Sequence, residues 1–349
     1  MHSPRRPGFL TTMALVVSLS TIASAFPQDY QSQQRSIVER LMQRGRVINI
    51  LDDFLAFWDQ TKTLSPSRQR SLFRRVIESR YRDYFEKAVY RGADRRQRRA
   101  LLDEFLVRVP ERIDAMREFN RQLADPSSSP LIDAVVNFRI WFREFSFGSD
   151  IYIGLSFFSF DGAIRSVGND QGIPDTLCLG ADVLARYSKE LVRLTVTHEL
   201  FHLYHFSFLF GNPSIEDFQS AHIPLMVEGM AVAATEQLYP NLSDELYLHF
   251  SSEQLASQKQ GLRREAASFL QLILAGAPPE AYDSWFSGYD AEVPVRGGYL
   301  LGQEVVRRLL STYTLEQLVR MTPAELRVNC EESLADIAGV RVMFVSTTN

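Results

Sequence analysis

The sequence predicts an α+β fold, mostly helical, in which a small sheet accompanies an N-terminal helical lobe. Three observations carry that prediction. From about Gln31 to Leu123, apolar residues recur three and four apart between charged ones. Between Ile151 and Asp182, two stretches rich in β-branched and aromatic residues flank a glycine-containing loop. From Ser188 onward the helical spacing returns. A chain of 349 residues, 45% hydrophobic and 23% charged, is long enough for one large core or two modest ones.

The first 25 residues stand apart from that body. Arg5 and Arg6 precede an uncharged run from Phe9 to Ala25 that ends Ala23-Ser24-Ala25, the small-residue pattern of a cleavage site. The run is shorter than the roughly 20 residues that span a bilayer. Residues 1–25 therefore read as a signal peptide, and the expected location of the mature chain is periplasmic or secreted, with no stable membrane insertion after processing. The mature N-terminus is expected at Phe26.

The helical lobe is expected over residues 26–125. Its apolar positions include Ile37, Leu41, Ile48, Leu51, Phe54, Leu55 and Trp58, then Leu72, Phe73, Ile77, Tyr81, Phe85 and Val89. Ser65 and Pro66 suit the cap and first turn of a new helix, and Gly92 interrupts again. The formal net charge is −4, which gives no general electrostatic reason to bind nucleic acid or anionic lipid. The charge is uneven, with 20 basic and 14 acidic residues from Phe26 to Asn120 and 16 against 28 from Arg121 onward. The arginines at 95, 96, 98 and 99 lie among Asp94, Asp103 and Glu104, as expected of a solvated helix face rather than a nucleic-acid patch. The lobe remains a candidate surface for a protein partner.

The segment Ala124–Pro130 (ADPSSSP) is the clearest break in composition, and a second domain is expected over 131–349. Ile151–Phe160 and Thr176–Asp182 read as strands, Ser188–Phe206 and about Pro224–Gln237 as helices, and helices again dominate Glu245–Leu274 and Gly302–Leu310. Arg341–Val345 is a candidate edge strand. Cys178 and Cys330, the only cysteines, either close one bridge or stay as buried thiols.

The chemistry concentrates in LTVTHELFHLYHF. His198, Glu199 and His202 spell H-E-x-x-H on a predicted helix, and at about 100° per residue His202 returns to within about 40° of His198, one turn along. Two imidazoles then face one point, the donor set that suits zinc, with Glu199 placed to act as a base on water. Catalytic zinc takes three protein ligands and an open position. His205 lies about 10.5 Å along the axis from His198, too far to share the ion, and is expected as a supporting or cleft residue. Glu228, 26 residues after His202, is the better third ligand if its helix folds back on the first. Gly229, Ala231, Ala233 and Ala234 would allow close approach. The competing reading places Glu228 in the first turn of a helix, favoured by the dipole. Glu236 is a reserve ligand or supporting acid, and His222 a loop residue that lines the cleft or is exposed.

These residues resemble the gluzincin class of metallopeptidases and, more loosely, bacterial zinc-protease-like proteins in which E-G-x-A and G-Y-x-x-G segments accompany the motif. Here those segments are Glu228–Ala231 and Gly298–Gly302, and the resemblance covers roughly Ile151 to Leu310. It implies a gluzincin-like catalytic core with a small sheet, zinc held by His198, His202 and Glu228, Glu199 as general base, and Tyr299 as a donor to the oxyanion. It also implies that an edge strand receives an extended peptide, for which Ile151–Phe158 is the candidate, with a plain core strand as the equal alternative. Thermolysin-like members carry an aspartate four residues after the ligand glutamate, whereas this chain has Val232. Glu236 and Asp182 are then the candidates to orient a histidine. Arg296 either binds a substrate carboxylate or is solvated.

The expected function is zinc-dependent hydrolysis of peptide bonds in a peptide or protein substrate outside the cytoplasm. The alternative is an exported zinc-bearing module that binds protein or peptide without turnover. A lipid-associated role for the aromatic run FHLYHFSFLF is a weaker reading than a buried helix.

Overall fold

The computed structural model describes residues 45–145, 148, 150–168, 174–209, 219–287 and 296–340. The expected signal peptide, the helical spacing before residue 45 and the candidate strand at 341–345 lie outside the described residues. The architecture is the expected mostly helical α+β fold. A four-stranded sheet is made by β1 (Val47–Asn49), β2 (Ile151–Gly154), β3 (Gly162–Arg165) and β4 (Thr176–Gly180) in the order β1-β2-β4-β3. β1 and β4 run parallel to β2, and β3 closes one edge antiparallel to β4.

Asn49 ends β1 and starts α1 (Ile50–Thr61), its side chain accepting a hydrogen bond from the backbone of Asp52. The apolar face of α1 buries Ile50, Leu51, Phe54, Phe57 and Trp58. α2 (Pro66–Phe73) begins at the expected Ser65-Pro66 and runs into a π-helical turn, Arg74–Glu78. A second π-helical stretch, Phe85–Tyr90, ends on Arg91 and Gly92, both with positive φ. α3 (Arg95–Arg108) opens with a capping box between Asp94 and Gln97. Its arginine run is an ion-paired surface: Arg98 meets Glu86 and Arg99 reaches Asp103. α4 (Ile113–Ala124) follows, and Ser129 caps α5 (Pro130–Trp141).

Two strand expectations need correction. The segment Ile151–Phe160 pairs only as far as Gly154, because the chain turns at Phe157 and Phe158, both of which adopt positive φ. Positive φ is costly for such bulky residues. Buried Asp182 holds the turn by accepting hydrogen bonds from Ser156 N at 2.7 Å and Phe158 N at 2.6 Å. Phe157 inserts into the lobe, stacking on Phe105 at 4.6 Å between ring centroids beside Phe73 and Phe85. Ile151–Gly154 is also an interior strand, flanked on both sides, so it offers no free edge to a peptide. The edge on the motif side is β3, which the sequence reading missed.

The rest is helical: α6 (Lys189–Leu209), α7 (His222–Leu238), α8 (Ser252–Leu274), α9 (Gly297–Leu309) and α10 (Pro323–Ala338). α7 lies between α6 and α9, and α8 packs on α10. The aromatic run of α6 is core: Tyr204 sits against Phe138, Phe142 and Phe145. Buried apolar residues from Ile50 to Ile337 form one continuous cluster. Cys178 and Cys330 are both free and buried, so no bridge joins them. No helix among the described residues is long and apolar enough to cross a membrane.

Candidate metal centre

α6 carries His198, Glu199 and His202 for three of its turns inside the molecule, with β3 on one side and α7 on another. α7 starts at His222, whose ring meets Ser220 Oγ at 2.9 Å and the carbonyl oxygen of Pro323 at 3.0 Å. His222 is thus neither a cleft nor an exposed residue: it is buried and ties the start of α7 to α10. Glu228 falls in the second turn of α7, beyond the first-turn position where the helix dipole alone would explain it.

That placement brings Glu228 to the paired histidines. His198 Nε2 lies 3.0 Å from His202 Nε2 and 3.0 Å from Glu228 Oε2, and His202 Nε2 lies 3.4 Å from the same oxygen. These three residues are the group of metal-ligating side chains found among the described residues, their ligand atoms all within 4.8 Å of one another. A tetrahedral ion with bonds of 2.0–2.1 Å places its ligands roughly 3.3 Å apart, so the donor spacing fits zinc. The protonation states of His198 and Glu228 fit as well, while despite its burial the Glu228 and Glu199 carboxylates raise the pKa of His202. Burial pushes the His198 imidazole down to about 4, leaving it neutral. Glu228, although buried, is held well below the usual carboxylate range by the two histidines, so it is ionised. Side-chain exposure of 15% at His198 and 19% at Glu228 leaves the site open to solvent on one side.

Glu199 stands next to this triad and does not belong to it. Burial pushes its carboxyl up to about 7, the range in which a carboxylate accepts and returns a proton near neutral pH. Its Cγ rests against Gly162 of the edge strand. Tyr299 stacks on the His198 ring, 6.1 Å between centroids with 30° between planes. Burial raises its phenol far above the ordinary value, so it stays a hydrogen-bond donor.

α7 packs on α6 as expected, but Gly229, one of its small residues, serves another contact. Gly229 meets α9, where a side-chain carbon at Gly229 would collide with the carbonyl of Gly302. One at Gly302 would fall 2.5 Å from the carbonyl oxygen of Leu225. This backbone contact sets α9, and with it Tyr299 one turn earlier, close to Glu228 and His198.

Three further readings are corrected. His205 is fully buried with neither ring nitrogen partnered among the described residues, beside Phe201, and burial pushes it down to about 3; it faces the core and not the cleft. Glu236 binds Gln303 and Arg307, and its position two turns beyond Glu228 takes it away from the triad. Asp182 is consumed by the Ser156–Phe158 turn, so neither acid orients a histidine. His202 Nδ1 has no hydrogen-bond partner among the described residues.

A polar cluster beside Glu199 escaped the sequence reading. Asp161 accepts from Tyr187 Oη at 3.1 Å and from Gly162 N at 2.8 Å, and its Oδ2 lies 3.5 Å from His249 Nδ1. Tyr187 and His249 meet edge to face at 5.7 Å. His249 comes from the left-handed end of a short helix, Asp244–Leu248, where no local pattern marks it. Arg296 is not simply solvated: its guanidinium carbon lies 4.2 Å from the centre of the Tyr299 ring.

Residues 162–327 match the family model described as "Predicted Zn-dependent protease (DUF2268)". The matched region runs from β3 into α10 and takes in Glu199, Tyr299 and all three members of the triad, whereas the helical lobe, β1 and β2 precede it. No curated protein and no solved structure matches the chain. The similarity supports a protease-like function, and the His198, His202 and Glu228 cluster can coordinate a metal ion.

Proposed function

We propose that the chain is a zinc-dependent peptidase in which His198, His202 and Glu228 hold the metal, Glu199 is the general base and Tyr299 stabilises the oxyanion. The observation that carries this reading is the convergence of two imidazoles and an ionised carboxylate beside a second, protonatable carboxyl. A bound zinc supplies Lewis acidity that activates water and polarises the peptide carbonyl. Glu199 takes the proton from the attacking water as its oxygen bonds to the carbonyl carbon. Tyr299 donates to the carbonyl oxygen as negative charge develops there. When the carbon–nitrogen bond breaks, Glu199 returns the proton to the departing amine. The solvent-facing side of the triad and the edge of β3, unpaired among the described residues, would give an extended peptide a place to lie, since an unpaired strand edge offers backbone donors and acceptors.

The place of action we propose is periplasmic or extracellular, on the strength of the Arg5–Ala25 sequence, with a helical lobe over 26–125 and the metal-bearing part over 131–349. The lobe would bind a protein partner or cover the substrate. The test of turnover is a peptide library incubated with zinc-loaded chain, with new termini counted by mass spectrometry. Glu199→Gln is expected to keep its zinc and lose roughly 10²- to 10⁴-fold in rate. Undiminished cleavage by that variant contradicts the mechanism, and zinc-loaded wild type that releases no termini contradicts the peptidase reading in favour of a binding module.

A further inference from the structure

We propose that Arg296 receives a carboxylate of the substrate, so that the site selects peptides carrying a free C-terminus or an acidic side chain near the bond to be cut. Cleavage of that bond rests on the peptidase reading; the carboxylate binding does not.

Arg296 lies one aromatic ring away from the triad: its guanidinium covers Tyr299, and Tyr299 covers His198. The guanidinium has no hydrogen-bond or ion-pair partner among the described residues. A cation held there for structural reasons would be expected to meet an acid, and among the described residues the two acids that act on it are already committed. Asp161 is engaged by Tyr187, the backbone of Gly162 and His249, and Glu228 by the two histidines. Both carboxylates still act on Arg296 through space and help to keep it charged despite its burial. Stacking on an aromatic face accounts for one side of the guanidinium plane and leaves its in-plane donors unused.

The side chain is also held in place. Arg296 adopts φ 58° immediately before α9, a left-handed conformation that L residues with long side chains rarely take. A guanidinium stacked on a ring loses less freedom on binding than one free in solvent. Its planar fork matches a carboxylate by two parallel hydrogen bonds, which an ammonium or an amide cannot copy. The location limits the ligand: an extended residue spans about 3.3–3.6 Å, so a carboxylate on Arg296 belongs to a group within about three residues of a carbonyl placed at the triad. A C-terminal carboxylate and an Asp or Glu side chain both meet that requirement.

The test measures binding separately from cleavage. Zinc-loaded Glu199→Gln chain, with and without the added change Arg296→Gln, is titrated calorimetrically with matched peptides: free acid against C-terminal amide, and Glu against Gln scanned through the sequence. In the Arg296 chain the carboxylate member of at least one pair is expected to bind roughly 10- to 100-fold tighter, and Arg296→Gln to abolish the difference. The pair that shows the difference identifies the source as main chain or side chain. Arg296→Lys, which keeps the charge and loses the fork, is expected to retain part of it and guards against a folding defect. Equal affinities within every pair, a preference that survives Arg296→Gln, or no binding of any peptide overturns the proposal. Failure of the peptidase reading shows itself elsewhere, as wild-type chain that binds the acids and releases no new termini.

Discussion

Gly162 and Glu199 touch: a Cβ at Gly162 would stand 2.6 Å from the Cγ of Glu199. The edge strand and the helix that carries the proposed base are thus in contact at a point where no side chain fits. Gly162→Ala is expected to push Glu199 or β3 aside while leaving the triad, which lies on α6 and α7, to hold metal. Turnover should fall well below wild type with zinc content unchanged, measured as product termini and elemental analysis on the same samples. Full activity would show that the contact does not position Glu199.

The contact between Gly229 and Gly302 predicts a different outcome. A methyl group at Gly302 must drive α7 and α9 apart, because its nearest neighbour is the backbone carbonyl of Leu225. Gly302→Ala is expected to cost about 1–3 kcal/mol, seen as a lower denaturant midpoint. It should also weaken zinc retention, since α7 bears Glu228. An unchanged midpoint would mean that the helices are less closely set than described.

Much of this site was legible because its logic is local. The four-residue spacing of His198 and His202 needs only a helix, and Glu228 needs only that the next helix fold back. Tyr299 was reached through resemblance, in a glycine-flanked segment. Asp161 and His249 were not legible, because they are 88 positions apart and only the tertiary fold brings their side chains within 3.5 Å. β1 and β3, three and four residues long, are too short to show alternation. The aromatic stretch Leu155–Phe160 looked like strand because its composition fits one, yet Asp182 offers its backbone amides an alternative partner and bends it away. Arg296 could be placed only once the ring beneath it was known.

Glu265 on α8 is buried, and neither carboxyl oxygen has a hydrogen-bond partner among the described residues. Burial raises its pKa above the ordinary value. The folded chain then binds this proton more tightly than the unfolded chain, so stability is lost as pH rises from the unfolded value through the folded one. Glu265→Gln is expected to stabilise the protein at pH 7 by about 1 kcal/mol and to make little difference below about pH 4. Thermal unfolding at the two pH values checks this; a destabilised variant at pH 7 would contradict it.

The cysteines give a simple check on packing. Burial pushes the Cys178 thiol up to about 12 and raises that of Cys330 as well. Both should resist a thiol reagent in the native protein and react fully after denaturation without reductant. A disulfide detected by mass, or rapid labelling of the native chain, would contradict the description.

His198, His202 and Glu228 are expected to bind one catalytic zinc. Anomalous diffraction at the zinc edge, on crystals of the purified chain, tests it directly. The expected result is one ion per chain within about 2.0–2.2 Å of His198 Nε2, His202 Nε2 and a Glu228 carboxylate oxygen, with a remaining position facing Glu199. Elemental analysis should find that ion largely lost from the variant with alanine at both histidines. No zinc at this position after loading, or zinc bound elsewhere while the three side chains stay apart from it, would contradict the account.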